Sequence, residues 1–142
     1  MQRITILGAT GSIGTSTLDL VERFRQARPW FARAHRADPN HFPTLYRYAE
    51  TFAVEENFLS DNNAEIMLLA LRLAPQVAQI RMAAASVLLA RSKFDLAEAL
   101  LLPVASTAHE GAIAVAAREL LAKARARDSS GVAFRFDVVA PR

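Results

Sequence analysis

The chain has 142 residues, of which 52% are hydrophobic and 22% are charged, and it contains no cysteine. This length and apolar content fit one folded domain and exclude a wholly disordered chain, while the lack of cysteine excludes a disulfide scaffold and a thiolate metal site. A net charge of +3 is too small to indicate nucleic acid binding, and no apolar run is long enough to span a membrane, so we expect a cytoplasmic protein without a membrane partner.

The first predicted element is a short strand followed by a glycine-rich loop. Residues Arg3–Leu7 form the β-branched apolar run that a buried strand uses, and Gly8–Gly14 follows directly. Thr15 or Ser16 can then cap a helix whose apolar face starts with Leu18. Glycines let the backbone approach a pyrophosphate, whose charge is met by free N–H groups at the helix start, so this order is typical of the first half of a dinucleotide-binding unit.

The segment Ile4–Asp19 resembles the N-terminus of the 1-deoxy-D-xylulose 5-phosphate reductoisomerase family, which acts in isoprenoid biosynthesis. The resemblance covers about the first 25 residues and implies NADPH as the cofactor. It also implies a set of phosphate-site residues: Gly8, Thr10, Gly11, Ser12, Ile13 and Gly14. Two features depart from the family pattern. Gln26–Ala37 is not a β-run, and the family's Asp-x-Glu metal motif does not occur in the sequence.

From about residue 24 the sequence becomes alanine-rich with helical spacing. Pro29 either starts or kinks a helix, Asp38–Asn40 is a stop signal, and Asp61–Asn63 is a capping cluster. The segment Thr15–Phe24 either packs against the following helix or extends it. The pattern predicts helices near residues 15–37, 42–57, 62–73, 76–91, 94–106 and 109–127.

Two of the predicted helices share a spacing of small and bulky residues. Ala64 and Ala97 each stand four residues before a leucine and seven before a second bulky residue, which is a spacing that lets helices approach closely. This pattern resembles the tetratricopeptide repeat, a helical hairpin of about 34 residues. The resemblance covers residues 24–127, about 2.5 repeats, and Leu45–Phe52 fits the first helix of a repeat. Arg81 departs from the pattern, because it stands where an aromatic residue is usual.

The repeat resemblance implies a concave groove, lined by the first helix of each hairpin, that binds a protein or peptide partner. Tyrosine, arginine and methionine are enriched at such interfaces. The alternative is that Tyr46 and Met82 belong to the core. The predicted groove residues are Tyr46, Arg47, Glu50, Gln79, Met82 and Ser86.

The end of the sequence changes character again. Residues Val132–Val138 alternate between apolar and polar as a strand does, and we expect them to pair with Ile4–Leu7. So short a solenoid would expose apolar faces at both ends, which favours a homodimer through Thr15–Ala37. We therefore divide the chain into a dinucleotide-binding-like segment 1–23, helical repeats 24–127 and a tail 128–142.

Catalytic and metal-binding patterns are weak in this sequence. His35, His41 and His109 are too scattered for a metal site, and no residue stands out as catalytic. The arginines between residues 23 and 36 surround Trp30, and we expect an ordinary charged helix face whose aromatic residues pack inward.

These patterns together predict a mainly α protein: a short tetratricopeptide-like solenoid with an N-terminal β-loop-α segment and a C-terminal strand. The main functional prediction is a non-catalytic protein–protein interaction module without a cofactor. The alternative is an NADPH-binding fragment, or a truncated relative, of the reductoisomerase family. A third hypothesis is a fusion of two gene pieces without a selected function.

Overall fold

A computed structural model describes residues 12–52, 60–108 and 111–132, with the side chains of residues 12–18 and 20 outside the description. The described residues form α-helices and turns and contain no strand, which confirms the prediction of a mainly α chain. The helices are α1 (Ser12–Ala37), α2 (Phe42–Glu50), α3 (Asp61–Leu73), α4 (Ala78–Ala90), α5 (Phe94–Ala105) and α6 (Ala112–Arg125).

Helix α1 is continuous over 26 residues, so Thr15–Phe24 extends the same helix rather than packing against it. Pro29 lies inside α1, and the predicted boundary between residues 23 and 24 also falls within it. The predicted strands at the two ends, and their pairing, involve residues 1–11 and 133–142, which lie outside the described residues.

The boundaries of the shorter helices follow local capping chemistry. Helix α3 is capped by Ser60, whose hydroxyl accepts a hydrogen bond from the Asn63 N–H at 3.3 Å. The prediction that Asp61–Asn63 forms the cap was therefore wrong by one residue. Asp61 instead lies in the first turn, where its negative charge interacts favourably with the positive end of the helix dipole. Helix α2 ends at Glu50 rather than near residue 57, because Thr51 is its C-cap.

Each helix packs against its neighbour in sequence, and α4 also contacts α6. One core cluster joins α2, α3 and α4 through Leu45, Met67 and Ile80, all at most 1% exposed. A second cluster joins α4, α5 and α6 around Leu101. Helix α4 contributes to both clusters, so every residue from Met82 to Leu89 is buried.

Two helices end in a Schellman motif without glycine. Ser92 follows α4 with φ of 60°, and Arg127 follows α6 with φ of 53°. After α4, the Ser92 N–H donates to the Leu89 carbonyl at 2.9 Å and the Lys93 N–H donates to the Leu88 carbonyl at 2.8 Å. A side chain in this left-handed conformation is strained, whereas glycine is not.

We therefore expect Ser92→Gly to raise the free energy of unfolding by about 0.5–1 kcal/mol, as measured by urea denaturation. The matched control is Ser106→Gly, since Ser106 is the C-cap of α5 but has φ of −90°. There glycine relieves no strain and adds only freedom to the unfolded chain, so stability should not rise. An equal gain in both variants would contradict the account of Ser92.

Candidate functional site: the start of helix α1

The predicted phosphate-binding segment runs into the first turn of α1. Ser12, Ile13 and Gly14 form the beginning of this helix, whereas Gly8, Thr10 and Gly11 lie outside the described residues. The first N–H groups of a helix have no partner within the helix, and they carry the positive end of its dipole. No acidic residue lies in the first turn of α1 to offset that charge. The backbone here is therefore suited to an anionic group.

The far half of α1 is fixed to the end of α2 by Arg28. Its Nη2 donates to the Thr51 carbonyl at 2.6 Å and its Nε donates to the Thr51 hydroxyl at 3.2 Å. The guanidinium also lies 4.1 Å from the centre of the Phe52 ring. Because Thr51 is the C-cap of α2, the cation of Arg28 meets the negative end of that helix. Nothing in the local sequence indicated this contact between residues 23 positions apart.

The other described contacts in the arginine-rich stretch are local. Arg23 pairs with Asp19 at 2.8 Å, one turn earlier, and Arg33 lies 5.2 Å from the centre of the Trp30 ring. Trp30 is 68% exposed, so the expectation that it packs inward was wrong. These are contacts of a solvated helix face.

Three of the six predicted groove residues, Tyr46, Arg47 and Glu50, lie on α2. Arg47 and Glu50 form an ion pair of 2.7 Å across one turn. Tyr46 is half-buried, packs against the core, and has its pKa raised to about 12 by burial and by the nearby Glu50 charge. The phenol therefore stays neutral over the physiological pH range.

The other three predicted groove residues lie on α4, and two of them are buried. Met82 is 6% exposed and Ser86 is 3% exposed, and the Ser86 hydroxyl donates to the Met82 carbonyl at 2.9 Å. Gln79 is partly exposed. Because α4 is covered by α3, α5 and α6, Met82 and Ser86 have no surface to offer a partner. Met82 belongs to the core cluster that joins α4, α5 and α6.

His35 lies in the last turn of α1 with its Nδ1 buried and without a hydrogen-bond partner in the described residues. The other two histidines serve local structure or lie outside the described residues. His41 caps α2, with its Nδ1 accepting from the Thr44 N–H at 3.3 Å, and His109 lies outside the described residues. Within the described part of the chain, no group of three or more histidine, aspartate or glutamate side chains is placed to hold a metal ion. None of the described helices has the length and apolar character needed to cross a membrane.

A model of the 1-deoxy-D-xylulose 5-phosphate reductoisomerase family matches residues 4–124. The chain belongs to this family. The match begins in the glycine-rich segment that carries the resemblance and continues through α1 to α5 into the last turn of α6. No curated protein and no solved structure matches the chain.

The family match overturns the main functional prediction. It covers nearly all of residues 24–127, the segment from which the tetratricopeptide interaction module was inferred. That prediction was wrong, and the physical reason is that the spacing behind it is not specific. Small and bulky residues at intervals of four and three are what any pair of closely packed helices needs.

Proposed function

We propose that the chain is an NADPH-binding member of the reductoisomerase family. The observation that carries the proposal is the family match over residues 4–124. NADPH, when bound, supplies a hydride to a substrate. We assign the binding of the NADPH phosphates to six residues of this chain: Gly8, Thr10, Gly11, Ser12, Ile13 and Gly14.

The start of α1 supports this proposal on physical grounds. The pyrophosphate carries negative charge, and the first turn of α1 offers free N–H groups, the positive end of a 26-residue helix and no acidic side chain. Gly11 immediately precedes the helix in the sequence, and a glycine before the helix of such a loop lets the backbone approach a phosphate. The described residues contain no strand that would supply a ribose contact, so the proposal is confined to the phosphates.

We expect saturable NADPH binding in isothermal titration calorimetry, and an affinity at least about tenfold lower in Gly11→Val. Valine at this position places a branched side chain where the phosphate must approach the backbone. The signal can be checked independently through the emission of Trp30, the sole tryptophan of the chain.

The matched control is Gly111→Val. Gly111 has φ of −97° and precedes α6, and a Cβ atom added there would meet nothing within 4 Å. This variant carries the same substitution far along the chain and should bind NADPH as the unmodified protein does. An unchanged affinity in Gly11→Val, or no saturable binding by the unmodified chain, would overturn the proposal.

We also propose, for architecture alone, that the helices form a short tetratricopeptide-like stack of hairpins. The sequential packing of α1 to α6 supports this, as do the small residues where α4 and α5 meet their neighbours. This proposal carries no statement about binding partners.

A further inference from the structure

A cleft of about 300 Å³ opens on the surface where the beginning of α4, the end of α5 and the beginning of α6 converge. Its volume lies at the small end of the range for small-molecule sites. The walls are apolar, and the polar groups are confined to Gln76, Arg81 and Thr107. The apolar wall residues are Pro75, Ala78, Pro103, Val104 and Ile113.

Arg81 is held at this cleft by two backbone carbonyl groups. Its Nε donates to the Leu100 carbonyl at 3.2 Å, and its Nη1 donates to the Pro75 carbonyl at 2.8 Å. A guanidinium has five N–H donors, so three remain for another acceptor. Within the described residues Arg81 forms no ion pair. The cleft therefore contains a fixed cation.

Two helix starts add to the positive potential. Ala78, the first residue of α4, and Ile113, the second residue of α6, both line the cleft. Neither first turn contains an acidic residue, and neither N-cap, Val77 or Gly111, accepts a hydrogen bond through a side chain. Both helix starts, whose first N–H groups have no partner within the helix, therefore lie at the same cleft as Arg81. Glu110 lies outside the described residues.

We propose that this cleft binds a small aliphatic carboxylate. The planar guanidinium, already oriented by two carbonyls, can donate two parallel hydrogen bonds to the two oxygens of a carboxylate. The apolar walls would then enclose the hydrocarbon chain, and the volume suits an acid of about six carbons. This site is separate from the start of α1 and does not depend on NADPH binding.

The test compares isocaproate with its uncharged amide, isocaproamide, by NMR titration of the full chain. The two probes have nearly the same shape, so a difference between them reports the charge. We expect saturable binding of the acid, with chemical-shift changes at residues around the cleft. The affinity for the amide should be at least about tenfold lower. Equal binding of both probes, or no saturable binding of the acid, would overturn the proposal.

Two substitutions locate the site. Arg81→Met removes the guanidinium and should abolish binding of the acid. Ala78→Leu narrows the cleft but leaves the cation in place, so it should weaken the binding of both the acid and the amide. The matched control is Arg118→Met, because Arg118 also donates to a backbone carbonyl, that of Ala105, but does not line the cleft. Undiminished binding in Arg81→Met or in Ala78→Leu would contradict the assignment, as would a loss in Arg118→Met equal to that in Arg81→Met.

Discussion

Replacing Leu101 with alanine is expected to lower the free energy of unfolding by about 3 kcal/mol. Leu101 is fully buried in the cluster that joins α4, α5 and α6. The same cluster contains Ala85 and Ala117, which are themselves fully buried. Alanines keep the helix backbones close and cannot move into the space that a missing side chain leaves, so most of the cavity should persist.

Leu102→Ala provides the control for this prediction. Leu102 is the next residue of the same helix and is 45% exposed, so its truncation removes the same atoms without creating a buried cavity. We expect a loss of about 0.5 kcal/mol or less in urea denaturation followed by circular dichroism. Similar losses in the two variants would mean that the described packing of α5 is incorrect.

The second large effect is expected at Arg28, whose removal should lower the free energy of unfolding by about 2 kcal/mol in Arg28→Ala. The substitution removes the charged donor of the Thr51 carbonyl, and this loss is costly because Thr51 is only 1% exposed. It also removes the cation above the Phe52 ring. Unsatisfied buried carbonyls and lost charged hydrogen bonds are each costly. The stability of Arg28→Lys should lie between that of Arg28→Ala and that of the unmodified protein, because lysine keeps the charge but lacks the planar guanidinium.

Arg33→Ala is the matched control, since Arg33 is exposed on the same helix and its described contact is the exposed Trp30 ring. Its removal should cost about 0.5 kcal/mol or less. The measurement is again urea denaturation, and it also tests whether α1 is attached to the rest of the fold through Arg28. Equal effects at Arg28 and Arg33 would contradict that attachment.

Sequence periodicity predicted most of the helices, because turn residues separate them clearly. The predicted ranges 94–106 and 76–91 correspond to Phe94–Ala105 and Ala78–Ala90. Features that depend on contacts between distant parts of the chain could not be predicted from the sequence. The Arg28 contact with Thr51 joins two helices, and the left-handed Ser92 lacks the glycine that would have signalled it.

The sequence of α4 explains why Met82 and Ser86 are buried. Placing Met82 and Ser86 on a surface assumed one exposed face, but residues 82–89 read Met-Ala-Ala-Ala-Ser-Val-Leu-Leu and, apart from Ser86, are apolar around the whole helix. A helix of that kind is buried on all sides. The missing polar face was the available signal.

For the family assignment, the glycine-rich segment was more informative than the longer helical region. Glycines with the spacing of Gly8, Gly11 and Gly14 are typical of loops in which a phosphate approaches the backbone, which is a specific chemical need. Alanine and leucine at helix-packing positions serve a need that all helical proteins share. The larger number of helical residues thus pointed to an architecture, while the short segment pointed to the family.

Residue-resolved NMR titration is the most direct test of the proposal that NADPH phosphates bind at the start of α1. We predict that NADPH causes its largest backbone amide shifts at Gly11, Ser12, Ile13 and Gly14, with little change in α5 and α6. Saturable binding with its largest shifts elsewhere, such as around Arg81, would contradict the claim, as would unchanged amides at the start of α1.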